Sequence, residues 1–388
     1  MRMTLQQKYK ILVVDDEPDL EPLLLQRMRR AIRAGRYEFV FAGNGLEALH
    51  KLDEDETIDM VLSDINMPQM DGLTLLDQIP EVNPNIRSVI ISAYGDMKNI
   101  RTAMNRGAFD FVTKPIDFKD LQVTIDRTLN HVEELKAALS ARDKLVSLQN
   151  ELDVASNIQQ SILPTELPQE HDYQMFGSMK SARNVGGDFY DVVRLPDRRV
   201  GLAIADVSDK GVPAALFMMS TRTLLKGAAI GAINPGDVIG TVNQLLCEDN
   251  EAAMFVTLIY GVYDPETGRL TYANGGHNPP LIVHSDNSST LLPPTDGLAL
   301  GLVPGYEYQQ RTVTVAPGEA LVLYTDGVTE AMNGDEEEFG VERLQDIFKK
   351  SNPHEPYAIT RLIFDAVDTF AGDTPQSDDV TCLTLCRG

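Results

Sequence analysis

The sequence predicts two domains of different class joined by a long helix. The first is a doubly wound α/β domain with a parallel sheet; the second is an α+β domain of layered αββα type. Three observations carry this. Short, fully apolar runs alternate with helical patterns up to about residue 127. Apolar positions then recur at helical spacing for roughly forty residues. The remainder mixes strand runs, acidic turns and a few long helices.

At 388 residues the chain exceeds one ordinary domain, and its 43% apolar content is enough for real cores. A net charge of −24 argues against nucleic-acid binding, and no C-terminal stretch reads as a basic helix-turn-helix. The three cysteines, Cys247, Cys382 and Cys386, are too few and too scattered for a disulfide framework. Cys382 and Cys386 share one face of a strand-like run and read as buried thiols. Met1–Leu5 lacks an apolar signal core, and no run approaches the ~20 residues of a membrane span. The expectation is a reduced, cytoplasmic protein that engages neither nucleic acid nor membrane.

In the first domain, Ile11–Val14 is a β-branched run that ends in Asp15-Asp16-Glu17-Pro18. Met60–Leu62 runs into Ser63-Asp64, then Asn66-Met67-Pro68 and Met70-Asp71-Gly72. Ser88–Ile91 ends at Ser92-Ala93, and Phe109–Val112 ends at Thr113-Lys114-Pro115. Ligands of such sheets sit beyond the carboxyl ends of the strands, where Asp15, Asp16, Asp64, Ser92 and Lys114 all fall. Three carboxylates in one cleft call for a divalent cation, and a carboxylate beside it can accept a phosphoryl group. Lys114 supplies a balancing charge, and a hydroxyl can report the arrival of the phosphate.

These motifs, spread over residues 9–127, resemble a two-component receiver domain, whose sheet has five parallel strands. The resemblance implies Asp64 as phosphoacceptor and Asp15 and Asp16 as Mg²⁺ carboxylates. It also implies the carbonyl of Asn66 as a metal ligand, Ser92 and Phe111 as the switch pair, and Lys114 as the phosphate partner. A sensor histidine kinase is the implied phosphoryl source.

From Leu121 the stripe Leu121, Ile125, Leu129, Val132, Leu135, Leu139 is nearly heptad. A second stripe, Leu145, Leu148, Leu152, Ala155, Ile158, resumes in shifted register after Arg142 and Asp143. A helical linker over 121–165 is expected, overlapping the last receiver helix and pairing as a parallel coiled coil. A homodimer through residues 121–162 follows. Pro164 and Pro168 stop the helix.

Residues 166–388 carry four acidic turns next to apolar strand runs: Gly186-Gly187-Asp188-Phe189-Tyr190-Asp191, Asp206-Val207-Ser208-Asp209-Lys210-Gly211, Tyr324-Thr325-Asp326-Gly327 and Ser377-Asp378-Asp379-Val380-Thr381. Such a set of hard oxygen ligands suits magnesium or manganese rather than zinc. Two divalent cations held there would lower the pKa of a shared water and clamp phosphoryl oxygens, which is hydrolase chemistry. There is no Cys-x5-Arg loop and no P-loop, so covalent cysteine chemistry and nucleotide hydrolysis are disfavoured.

With Ala273–Pro279 these turns make five ordered motifs that resemble the metal-dependent (PPM, type 2C) serine/threonine phosphatases in their bacterial SpoIIE/RsbU branch. Ile158-Gln159-Gln160-Ser161-Ile162-Leu163-Pro164 resembles the segment that precedes such domains. The resemblance implies two Mn²⁺ or Mg²⁺ ions held by Asp188, Asp206, the carbonyl of Val207, Asp326 and Asp378, with Asp379 a further ligand candidate. Arg183 falls where the wider family often has a phosphate-binding arginine. Asp209 stands where many relatives have Gly, and His277 reads as a loop residue capping a turn. The implied function is a receiver-controlled protein phosphatase. Its implied substrate is a phosphorylated STAS-domain anti-sigma-factor antagonist, which would control a sigma factor by partner switching. The alternative is a catalytically silent adaptor that sequesters a partner.

Overall fold

The computed structural model describes residues 8–93, 95–231, 234–248, 250–350 and 354–388. The N-terminal stretch Met1–Leu5, read above for a signal core, lies outside them. The chain divides into two compact units, Met1–Ser147 and Leu148–Gly388.

The first unit alternates strand and helix throughout: β1 (Tyr9–Val14), α1 (Leu20–Arg27), α2 (Arg29–Arg33), β2 (Tyr37–Ala42), α3 (Gly45–Glu54), β3 (Ile58–Asp64), α4 (Gly72–Val82), β4 (Arg87–Ala93), α5 (Met97–Asn105) and β5 (Asp110–Lys114). All pairings are parallel, in the order β2-β1-β3-β4-β5. Because strand side chains alternate, β1 sends Ile11 and Val13 to one face and Leu12 and Val14 to the other. Leu20 and Leu24 of α1 cover the first face; Ala48 and Leu52 of α3 and Leu75 and Ile79 of α4 cover the second. Strand β2 is not assigned in the sequence analysis, although Tyr37, Phe39, Val40 and Phe41 are strong strand formers. Glu38 interrupts its apolar run, and its middle four residues are only half-buried.

Helix α6 (Phe118–Ile162) is continuous for 45 residues and passes from the first unit into the second. Leu121, Ile125, Leu129 and Val132 are buried in the first unit. From Ser140 to Glu151 every residue is exposed, Leu145 and Leu148 among them. No helical break accompanies the register shift at Arg142 and Asp143. Among the described residues, no helix is long and apolar enough to cross a membrane.

The second unit contains β6 (Tyr173–Lys180), β7 (Phe189–Arg194), β8 (Val200–Val207), α7 (Val212–Gly231), α8 (Pro235–Glu248), β9 (Val256–Asp264), β10 (Arg269–Gly275), β11 (Leu281–Val283), β12 (Ser289–Leu291), β13 (Gln310–Thr314), β14 (Ala320–Tyr324), α9 (Asp326–Thr329), α10 (Gly340–Lys350), α11 (Pro356–Ala371) and β15 (Val380–Arg387). The strands form two antiparallel sheets, β13-β10-β9-β8-β7 and β12-β11-β14-β15-β6. Their inner faces share one core, with Leu202, Ile204 and Tyr263 against Leu321, Leu323, Leu383 and Leu385. Helices α7 and α8 cover the outer face of one sheet, and α10 and α11 cover that of the other. This is the expected αββα layering. Cys382 and Cys386 are buried on the helix side of β15, and burial pushes both thiols up to about 12.

The turn after β3 shows how tightly the first unit is built. Asp71 caps α4 by accepting from the Thr74 amide at 2.6 Å, and Gly72 lies against the Asp64 carbonyl. A Cβ at Gly72 would sit 2.0 Å from that oxygen. Gly72→Ala should therefore cost about 1–3 kcal/mol. The measurable result is faster hydrogen exchange in β3 and α4. Gly43→Ala, whose Cβ would meet only the Glu47 carboxylate at 3.6 Å, should stay within about 0.5 kcal/mol of wild type.

Candidate functional site

In the first unit, parallel pairing brings the carboxyl ends of β1, β3 and β5 together. Lys114 sits at the centre. Its ammonium lies 2.8 Å from Asp64 Oδ2, 2.8 Å from Glu17 Oε1 and 3.2 Å from Asp15 Oδ2. Burial works against its charge, but the three carboxylates outweigh burial and hold its pKa above the ordinary lysine value. Burial raises the pKa of Asp15, opposed by the Glu17 amide and Lys114. The other oxygen of Asp64 accepts from the Ile65 amide at 2.7 Å. The Ser92 hydroxyl is buried and makes no hydrogen bond, whereas Phe111 is exposed. Carboxylate oxygens of Asp15, Glu17 and Asp64 lie within 4.8 Å of one another. Asp16 and Asn66 are on the surface and lie outside that trio. Glu17 has no assigned role in the sequence reading although it stands in the quoted motif.

In the second unit, strand register does the same work. Phe189 pairs with Ala205 across β7 and β8, so Asp188 and Asp206 meet at the next position out. On the other sheet, Tyr324 pairs with Cys382 across β14 and β15, which sets Asp326 and Asp378 at the same end. The Asp188 carboxyl is held well above the usual range, first by burial and then by Asp206 and Asp379, with the Thr325 hydroxyl acting against them. Burial and the charge of Asp326 push Asp206 up to about 7, and a hydrogen bond with Asp188 offsets part of this. Asp326 is raised by burial and by Asp378. The carboxylates form one repelling cluster.

Neutral and backbone groups hold the cluster in place. Thr325 donates to Asp188 Oδ2 at 2.7 Å and accepts from the Thr381 amide at 3.1 Å, so one hydroxyl joins three turns. Asp379 accepts from the amides of Ala182 (2.8 Å), Gly187 (2.7 Å) and Asp188 (3.4 Å). Its oxygens are thus already engaged in shaping the Gly-Gly-Asp turn. A Cβ at Gly186 would lie 2.2 Å from Asp379 Oδ2, which explains that glycine. The Val207 carbonyl faces the same turn, 3.0 Å from where a Gly187 Cβ would stand. Gln159 of α6 grips Gly186 from the other side, donating to its carbonyl at 2.6 Å and accepting from its amide at 3.0 Å.

His277 spans the two sheets. Its Nδ1 lies 2.8 Å from the Thr257 hydroxyl and its Nε2 lies 3.2 Å from the Tyr324 carbonyl. Burial lowers its pKa to about 4, so the ring is neutral near pH 7 and Nε2–H donates. Its backbone closes a turn with Asn274, as expected. Arg183 is exposed and reaches the Gly211 turn. Asp209 has φ of 68°, which accounts for a position that accepts Gly. The sequence reading misses two working residues here, Thr325 as a brace and Lys210. Lys210 lies 2.8 Å from Asp378 and donates to the Ser377 carbonyl at 2.7 Å. Both stand inside quoted motifs, but nothing local marks partners more than fifty residues away.

Comparison with known proteins agrees with this division. The pattern of the response regulator receiver domain matches residues 11–126, and that of Stage II sporulation protein E (SpoIIE) matches residues 196–388. Phosphoserine phosphatase RsbU of Bacillus subtilis is 30% identical over 242 residues, covering 62% of this chain and 71% of RsbU. Protein IcfG of Synechocystis is 34% identical over 265 residues, or 61% of this chain, but the match spans only 41% of IcfG. Among solved structures, the SiaA-PP2C domain of Pseudomonas aeruginosa aligns with a TM-score of 0.54 at 26% identity, covering 63% of this chain and 98% of that one.

Two outcomes follow from the cluster. Thr325→Val removes the hydroxyl shared by the Asp188 carboxyl and the Thr381 amide and should cost about 1–3 kcal/mol, with Thr325→Ser recovering most of it. The raised pKa of Asp206 favours the folded state most fully below the unfolded value of 3.8, and that contribution is lost as pH rises through about 7. In chelator, the unfolding temperature of the second unit should fall between about pH 4 and about pH 7, and Asp206→Asn should flatten that fall.

Proposed function

Because this chain belongs to the SpoIIE family of phosphatases and carries a response-regulator receiver domain at its N-terminal end, we propose that it is a receiver-controlled, metal-dependent protein serine/threonine phosphatase. One observation carries the reading: the converging, mutually repelling carboxylates of Asp188, Asp206, Asp326 and Asp378, with the neutral Thr325 hydroxyl bracing Asp188. The domain limits we assign are 9–127 for the receiver, 121–165 for the helical linker and 166–388 for the phosphatase.

The donor set is all oxygen, acidic and crowded, and so fits two Mn²⁺ or Mg²⁺ ions. When bound, such ions lower the pKa of a water and neutralise phosphoryl oxygens. Asp188, Asp206, the Val207 carbonyl, Asp326 and Asp378 would hold them. Asp379 keeps the Gly-Gly-Asp turn in shape, and its claim as a ligand is correspondingly weaker. Lys210 neutralises Asp378 and positions the turn before β15. Arg183, exposed beside the Gly211 turn, would meet an arriving phosphate. Neutral His277 is a strut between the sheets rather than a general acid.

The receiver site supports control by phosphoryl transfer from a sensor histidine kinase. An oxygen of Asp64 takes the phosphoryl group, Lys114 holds its charge, and the unpartnered Ser92 hydroxyl turns to donate to it. Phe111, now exposed, follows that hydroxyl inward. Asp15, Asp16, Asp64 and the Asn66 carbonyl, with Glu17 nearby, suit one Mg²⁺. The change travels along α6, whose Gln159 is bound directly to the turn that presents Asp188. The exposed stripe of Leu145, Leu148 and Ile158 supports pairing with a second copy as a coiled-coil homodimer. On the family resemblance, the substrate is a phosphorylated STAS-domain anti-sigma-factor antagonist in the cytoplasm, and its dephosphorylation controls a sigma factor by partner switching.

Mn²⁺-dependent release of phosphate from a phosphoserine protein tests the reading. Asp206→Asn should lower turnover at least about 100-fold while circular dichroism stays unchanged. Unaltered turnover would sink the metal assignment. Binding of the phosphoprotein without turnover by wild type would favour the adaptor.

A further inference from the structure

Beside the carboxylate cluster lies a cleft of about 230 Å³ to which the proposed reaction assigns nothing. Its apolar lining comes from Ala331, Met332, Val367, Ala371 and Val380. Val367 and Val380 are buried at its base, and Met332 is exposed at its mouth. The cleft also touches Gly327 and Asp378, so it borders the two turns that present Asp326 and Asp378. Lys180 and Asp368 pair at 2.8 Å on its rim.

The wall nearest the cluster is fixed in advance. The Gln376 side-chain amide donates to the carbonyls of both Lys180 and Asp378, each at 2.7 Å. Lys210 holds the Ser377 carbonyl at 2.7 Å. A preformed apolar recess costs little to fill, because ordering has already been done. Its volume is below the roughly 300 Å³ at which small-ligand and cofactor sites begin, so it suits one side chain rather than a whole molecule. A methionine at the mouth adapts to aliphatic groups of different shape.

We propose that this cleft is a specificity pocket that takes an aliphatic side chain close in sequence to the phosphorylated residue of the protein substrate. The inference rests on the phosphatase reading above. A phosphoserine held by cations at Asp326 and Asp378 would have its neighbours at the cleft, because the same two turns form its edge. The Lys180–Asp368 rim meets the polar backbone on either side of the inserted group. Selection then comes from apolar burial within the pocket, while the reacting phosphate is handled elsewhere.

The test uses the full chain with Mn²⁺ and a set of phosphoserine peptides. The host peptide has only Ala and Gly around the phosphoserine, and each other peptide places one Leu at a single flanking position. The expected result is a rise of about tenfold or more in kcat/KM for Leu at one position. Ala371→Leu, which fills the cleft, and Met332→Gln, which makes its mouth polar, should both erase that rise and leave the host peptide unaffected. Met332 is exposed, so its variant keeps the test decisive if Ala371→Leu folds poorly. A flat response across all positions, or a Leu preference retained in a folded variant, would overturn the pocket. Failure of wild type to hydrolyse even the host peptide would overturn the phosphatase reading and the pocket with it.

Discussion

Repulsion among buried carboxylates is the constraint on which the second unit depends. Asp188, Asp206 and Asp326 all have raised pKa values, with burial the largest cause in each case. Left alone, such a cluster would push the two sheets apart where their turns converge. The fold resists this with neutral struts. Thr325, just after β14, joins Asp188 before β7 to the Thr381 amide in β15. His277 links β9 to β14 while remaining uncharged. Asp379, itself one of the repelling charges, is held in place by backbone amides. The strain that remains is the kind a pair of divalent cations removes, which ties stability of this unit to its chemistry.

The receiver site solves the same problem by another route. Asp15, Glu17 and Asp64 are gathered around a lysine that offsets only part of their charge, and the negative excess left over suits a cation. Ser92 stands by with a buried, unpartnered hydroxyl, a cost that a phosphoryl oxygen at Asp64 would relieve. Two acidic sites in one chain are thereby suited to different tasks. On the proposed reading, one would accept a phosphoryl group on a carboxylate and the other would hold cations.

Much of this was legible in the residues because the relevant side chains sit where strands end. A parallel sheet gathers the carboxyl ends of its strands, so Asp15, Asp64, Ser92 and Lys114 could be grouped from local patterns alone. The αββα layering followed from strand runs mixed with long helices. Strand β2 escaped although Phe39-Val40-Phe41-Ala42 is a strand-forming run, because no acidic or catalytic residue stands at its end. Glu17, Lys210 and the bracing function of Thr325 escaped because they depend on partners far away in sequence. The double role open to Asp379 escaped for the same reason: only the folded turn shows three amides converging on it. Likewise, the exposed run from Ser140 to Glu151 is visible only once the helix is seen whole.

The central claim is that phosphoryl chemistry at Asp64 governs hydrolysis at the carboxylate cluster. It is tested most directly by Mn²⁺-dependent turnover of a phosphoserine substrate by the full chain, with and without beryllofluoride as the phosphoryl mimic. Turnover should change clearly with the mimic, and Asp64→Asn should abolish that change. Equal turnover in both states, with beryllofluoride shown to be bound, would contradict it.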